Sequence, residues 1–145
     1  MLFRSLLSVR VAAMLDAVGM RSGGGLNYVP PHALGTLGRV KAAFETVGCR
    51  VSTLPASTSG DVVRDVLASL QADSATMIAR CESELIESEL GPRACQGRAN
   101  DCDAHLAKLE KYESLLGANL QGIRDQIESL SSDYTAAALE ALADI

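Results

Sequence analysis

Tryptophan is absent and aromatic side chains make up only 3% of the 145 residues, so the apolar fraction of 48% is almost wholly aliphatic. Such a chain builds its core from Leu, Val, Ile and Ala, which suits helix packing, and has few flat rings on which nucleic-acid bases can stack. A surplus of positive charge is also missing. The formal net charge of −5 opposes attraction to phosphate backbones, which argues against nucleic-acid binding. No apolar run approaches the ~20 residues needed to cross a bilayer, and no charged, apolar and small-residue succession reads as a secretory signal. The expectation is a soluble protein. With two histidines, and no Cys/His/Asp arrangement that spacing singles out, nucleophilic catalysis has no anchor and the chain reads as a non-enzyme without a cofactor.

The four cysteines, Cys49, Cys81, Cys95 and Cys102, are scattered through expected elements instead of bunched in loops. That pattern fits reduced thiols better than a disulfide framework. Cys102 and His105 stand three apart and Cys95 lies nearby, but a structural zinc site wants four ligands in tighter pairs, so no metal is expected.

What the chain has in abundance is a long apolar ladder: Cys102, Leu106, Leu109, Tyr112, Leu116, Leu120, Ile123, Ile127, Leu130 and Tyr134. Gaps of three and four residues place these side chains on one seam of a helix. A second seam precedes it, formed by Val63, Val66, Leu70, Ser74, Met77, Cys81 and Leu85. Gly91 and Pro92 break the first helix at about Leu90, giving it roughly thirty residues or about 45 Å at 1.5 Å per residue. Asn100 and Asp103 resemble a start signal for a helix continuing to Leu142. The simplest arrangement is an antiparallel two-helix coiled coil over residues 57–145.

Residues 1–56 read as a small head. Leu2 to Val18 forms an amphipathic helix, with Gly19 near its end in the conformation only glycine adopts without strain. Its first fifteen residues carry two Arg, two Ser and no acid, a composition shared with mitochondrial transit segments, but the apolar spacing fits an ordinary first helix. Ser22 to Gly25 makes a turn between a short arm at Met20 and Arg21 and a strand at Leu26 to Val29. Pro30 and Pro31 end that strand, and a helix follows through Leu34, Leu37, Val40, Phe44 and Val47 to Gly48. Cys49 to Leu54 alternates like another short strand. Thr58 to Asp61 resembles a capping box opening the long helix, with the hinge at Pro55 to Gly60. The fold class expected is mainly-α α+β: a helix, hairpin, helix and strand head followed by the coiled coil.

Two groups of residues are candidates for function. The first is an interaction surface along the seams: Val63, Leu70, Met77 and Leu85, with Leu106, Leu109, Tyr112, Leu116, Leu120, Ile123, Ile127 and Leu130. The second is an anion site, made by the Gly23, Gly24 and Gly25 turn with Arg21, Arg39 and Lys41, that would sequester a small anionic or nucleotide ligand. No Gly-Lys-Ser/Thr ending follows the glycines, so a hairpin turn is the plainer use of them. Glu82, Glu84, Glu87 and Glu89 split by helical phase into two pairs on different faces and read as solvated surface.

Arg21, Ser22, Gly23, Gly24, then Tyr28, Val29, Pro30, with Gly48, Arg50, Val51, Leu54 and Pro55 further on, resemble an uncharacterised domain family of tailed bacteriophages and archaeal viruses. Leu106, Leu109, Tyr112, Leu115, Leu116 and Gly117 are similar to its final helix. The resemblance implies a viral or prophage origin, with a place in the infected cell's cytoplasm or the virion, and nothing about mechanism. The function expected is helix-mediated self-association or docking onto another viral or host protein.

Overall fold

The structure, a computed structural model, describes residues 9–20, 26–55, 59–87 and 90–143. The chain divides into two compact units, Met1–Ser69 and Leu70–Ile145, with the boundary inside a long helix. It is mainly helical, with one small antiparallel sheet, as the composition and periodicity predict.

In the first unit, helix α1 covers residues 9–14. The Asp16 N–H donates to Ala13 O at 3.1 Å and the Ala17 N–H to Ala12 O at 2.9 Å. This is a Schellman ending whose left-handed residue is Asp16, at φ 50°, and not the glycine three residues on. A short acid tolerates that conformation better than most side chains, and here its carboxylate also accepts the His32 Nε2 hydrogen bond at 2.9 Å. Gly19 is thereby free to enter strand β1 (Val18–Gly19), which pairs antiparallel with β2 (Asn27–Tyr28) in the register Val18 to Tyr28. The hairpin exists as expected, but its first arm lies two residues upstream of Met20 and Arg21. Its glycine turn falls outside the described residues.

Pro31–Ala33 forms a single 3-10 turn leading into α2 (Leu34–Thr46). Gly48, at φ 74°, closes α2 as a second Schellman ending: Cys49 N–H donates to Phe44 O at 2.9 Å and Gly48 N–H to Glu45 O at 3.1 Å. Leu15, Ala17 and Ala33 form a small core, with Val11, Ala12, Val29 and Leu37 packed against it. Cys49 to Leu54 is not a strand. Alternation alone makes no sheet without an edge to pair with, and Leu54 is 85% exposed.

Helix α3 (Gly60–Glu87) carries Asp61 in its first turn, paired with Arg64. Thr58 of the expected capping box lies outside the described residues, while Val63 N–H donates to Ser59 O at 3.2 Å. Val66, Leu70, Ser74 and Cys81, spaced by four, four and seven residues, are buried.

The long second rod of the expected coiled coil is in fact two helices. α4 (Pro92–Leu116) starts eight residues before Asn100, with Gly91 as its cap and Pro92 in the first position, where its missing N–H costs nothing. Asn100 and Asp103 are interior residues of α4, not its start. Gly117, at φ 62°, ends α4, and α5 (Gln121–Ala143) runs back along it. The second unit is therefore a three-helix assembly of the end of α3 with α4 and α5. The hairpin is α4 with α5, in place of α3 with a single rod. Its buried face is built from Leu70, Ser74 and Cys81 of α3, from Cys95, Ala99, Cys102, Leu109 and Tyr112 of α4, and from Leu120, Ile127, Leu130, Tyr134 and Ala138 of α5. Small side chains on α3 and α4 leave room for the two tyrosines, the alternation of sizes that close helix packing requires.

Candidate interaction surface

The three helices of the second unit are tied at one level by polar groups. Tyr134 of α5, fully buried, places its hydroxyl 3.2 Å from the Cys81 carbonyl oxygen and 3.3 Å from Glu84 Oε2, so one proton is shared between two acceptors on α3. Arg98 of α4 grips the same carboxylate with two bonds, Nε to Oε2 at 2.7 Å and Nη2 to Oε1 at 3.0 Å. The Arg98 hydrogen bond, aided by its charge and by Tyr134, outweighs desolvation and holds the Glu84 carboxyl below its ordinary pKa. Burial, with Cys81 beside it, pushes the Tyr134 phenol up. Burial likewise raises the Cys102 thiol, which lies against Cys81, so the Cys102 thiol stays protonated and inert.

Two turns away lies a second polar contact. Ser74 Oγ is 2.9 Å from His105 Nε2, bridging α3 and α4. Burial is the main force lowering the His105 pKa, the charge of Lys108 lowers it further, and Asp73 opposes both. A serine beside an imidazole is the arrangement of a nucleophile and its base, but Ser74 is fully buried and no substrate can reach it. The pair satisfies two polar groups inside a helical interface.

On the surface above the Tyr134 network, the walls of α3 and α5 enclose a groove of about 360 Å³. Glu82, Leu85 and Ile86 line it from α3, and Gln126, Ser129, Leu130 and Asp133 from α5. Ile86 is 84% exposed, more than any other large apolar side chain in the described helices. The bond of Tyr134 on α5 to Glu84 on α3 ties the two helices that form the groove's walls.

A family profile matches residues 3–143, almost the full length. The chain belongs to the family of unknown function DUF6744. Comparison with curated proteins and with solved structures returns no match.

In this member of the family, half of the residues expected to form an interaction surface along the seams are used up inside the chain. Leu70, Leu109, Tyr112, Leu120, Ile127 and Leu130 are buried, while Val63, Met77, Leu85, Leu106, Leu116 and Ile123 are half-buried. Leu85 and Leu130 reach the groove. Ile86 and Glu82 were legible only as residues off the seam, since their helical phase puts them beside it.

Of the anion-site candidates, Arg21 and Gly23 to Gly25 fall outside the described residues. Arg39 donates to Thr36 Oγ1 at 3.2 Å on the exposed face of α2. Lys41 instead borders a separate open groove of about 410 Å³ with Leu34, Leu37 and Leu54. Two residues apart on a helix, Arg39 and Lys41 point to different sides. The cysteine and histidine once weighed for metal also diverge: the Cys95 thiol donates to Leu90 O at 3.7 Å and His105 turns to Ser74. Among the described residues no group of three possible metal ligands gathers.

Arg124 of α5 reaches back across the turn to α4. Its Nη1 donates to Glu113 Oε2 at 2.8 Å and its Nη2 to Glu110 Oε1 at 2.9 Å. Glu113 also accepts the Leu120 N–H at 2.6 Å, and this backbone bond is the chief reason its pKa is lowered.

Proposed function

We propose that the chain is a non-enzymatic viral protein, of phage or prophage origin, that acts by docking a protein partner or a second copy through its helical unit. The observation that carries this reading is the groove between α3 and α5, where exposed Ile86 and half-buried Leu85 leave apolar surface uncovered beside the buried Leu130. Apolar side chains lining a groove between two helices are how helical proteins receive other helices. The viral origin rests on the resemblance of its turn and seam residues alone.

The test is the association behaviour of the whole chain and its Ile86→Ser variant. Sedimentation velocity and pull-down should show a complex, either with itself or with a partner, that the variant loses while its circular dichroism is unchanged. A variant that keeps every association of the parent would overturn the proposal.

A further inference from the structure

Resting on the docking reading above, we infer that the α3/α5 groove receives a cationic amphipathic helix from a partner protein. The lining combines the apolar Leu85, Ile86 and Leu130 with two carboxylates, Glu82 and Asp133, one from each wall. Neither carboxylate makes an ion pair among the described residues, in contrast to Glu84, Glu110 and Glu113 nearby, each held by an arginine. An occupant that covered Ile86 while leaving these two acids unpaired would have to desolvate them for no return, whereas a lysine or arginine on each flank turns the same burial into complementary charge.

The dimensions fix the recognition element. On α5 the lining runs from Gln126 to Asp133, about two helical turns, or about 10 Å at 1.5 Å per residue. Apolar anchors at the first, fourth or fifth, and eighth positions of a helix span that length, in contact with Leu85, Ile86 and Leu130. Basic residues one position to either side of the anchors then face Glu82 and Asp133. The chain's own net charge of −5 acts in the same direction at longer range, drawing a cationic partner in and repelling acidic helices.

The experiment uses the full chain and two fluorescent synthetic helices sharing the same leucine anchors, one flanked by lysines and the other by glutamates. Anisotropy should show the lysine peptide binding, with affinity falling as salt rises. The Glu82→Lys, Asp133→Lys double variant should weaken it by at least about tenfold and bind the glutamate peptide instead, a swap expected only of direct charge complementarity. Ile86→Ser should abolish both. Equal binding of the two peptides, or binding that ignores charge reversal, overturns the cationic occupant while leaving a docking groove in place. A dimer of the chain alone that Ile86→Ser dissolves makes the occupant a second copy and likewise overturns it. No binding of any helix, with no self-association, removes the docking reading as well.

Discussion

Tyr134 on α5 and the carbonyl of Cys81 on α3, 53 residues apart in sequence, meet at 3.2 Å in the interior of the helical unit. The contact brings Glu84 and Arg98 into the same cluster, so a single phenol hydroxyl fixes the level at which three helices cross. Tyr134→Phe keeps the ring and loses only a shared proton, so it should cost about 0.5–1.5 kcal/mol. Tyr134→Ala empties the space as well and should cost about 3–5 kcal/mol. Urea titrations of the two variants check the pair; equal losses would mean that the hydroxyl contributes nothing.

Gly117 and Gly97 should respond to alanine with opposite signs. A Cβ at either position meets nothing within 4 Å, so crowding plays no part. At Gly117 φ is 62°, and an alanine there should destabilise the fold by about 1–2 kcal/mol. Gly97 lies in the body of α4, where Gly→Ala should stabilise by about 0.5–1 kcal/mol. Thermal melts decide, and two changes of the same sign would contradict the assigned break in the helix.

Acid should weaken the helical unit in two stages. His105 is held below its ordinary value of 6.5, so the unfolded chain takes up its proton first, and stability present above pH 6.5 should fall as pH drops towards the folded pKa. The imidazole faces Ser74 and Asp73 from α3 and Lys108 from its own helix. Glu84, held below its ordinary value of 4.5, contributes stability that is present above pH 4.5 and is lost as pH falls through its folded pKa. His105→Gln should flatten the first stage and leave the second. Melting temperature against pH for both chains is the check, and an unchanged first stage would assign it to another group.

Much of the architecture was legible in the sequence because local chemistry and packing agree. Gly48 closes α2, the double proline separates strand from helix, and Gly91-Pro92 separates α3 from α4. The break at Gly117 was hidden for a physical reason. Leu116, Leu120 and Ile123 keep gaps of four and three straight through the turn, so periodicity cannot distinguish one rod from two folded together. The local signs were slight: a glycine able to take positive φ, and Asn119, whose Oδ1 accepts the Gln121 N–H at 2.9 Å. The contacts of Arg124 with Glu110 and Glu113, and of Arg98 with Glu84, depend on those reversals and have no signature of their own. The groove was half visible. Leu85 and Leu130 belong to the seams, whereas Ile86 is conspicuous only once both walls are placed.

A core seam and a surface groove predict contrasting mutations. Leu109→Ala, at a fully buried site, should cost about 2–5 kcal/mol. Ile86→Ser, at an exposed one, should change stability by no more than about 0.5 kcal/mol while removing association. Denaturation and sedimentation of both variants test this, and a folded, stable Leu109→Ala chain that no longer associates would return the seam to the outside.

The most direct test is whether the ladder from Cys102 to Tyr134 closes on itself. Ser131 Oγ donates to Asp103 Oδ1 at 2.7 Å across α5 and α4, although the two residues are 28 apart in sequence. Nitroxides placed by Asp103→Cys and Ser131→Cys, with Cys49→Ser to remove the least buried native thiol, should show strong dipolar broadening at concentrations where the chain is monomeric. Unbroadened spectra, with a spacing of about 42 Å as an uninterrupted helix would impose at 1.5 Å per residue, would contradict the account.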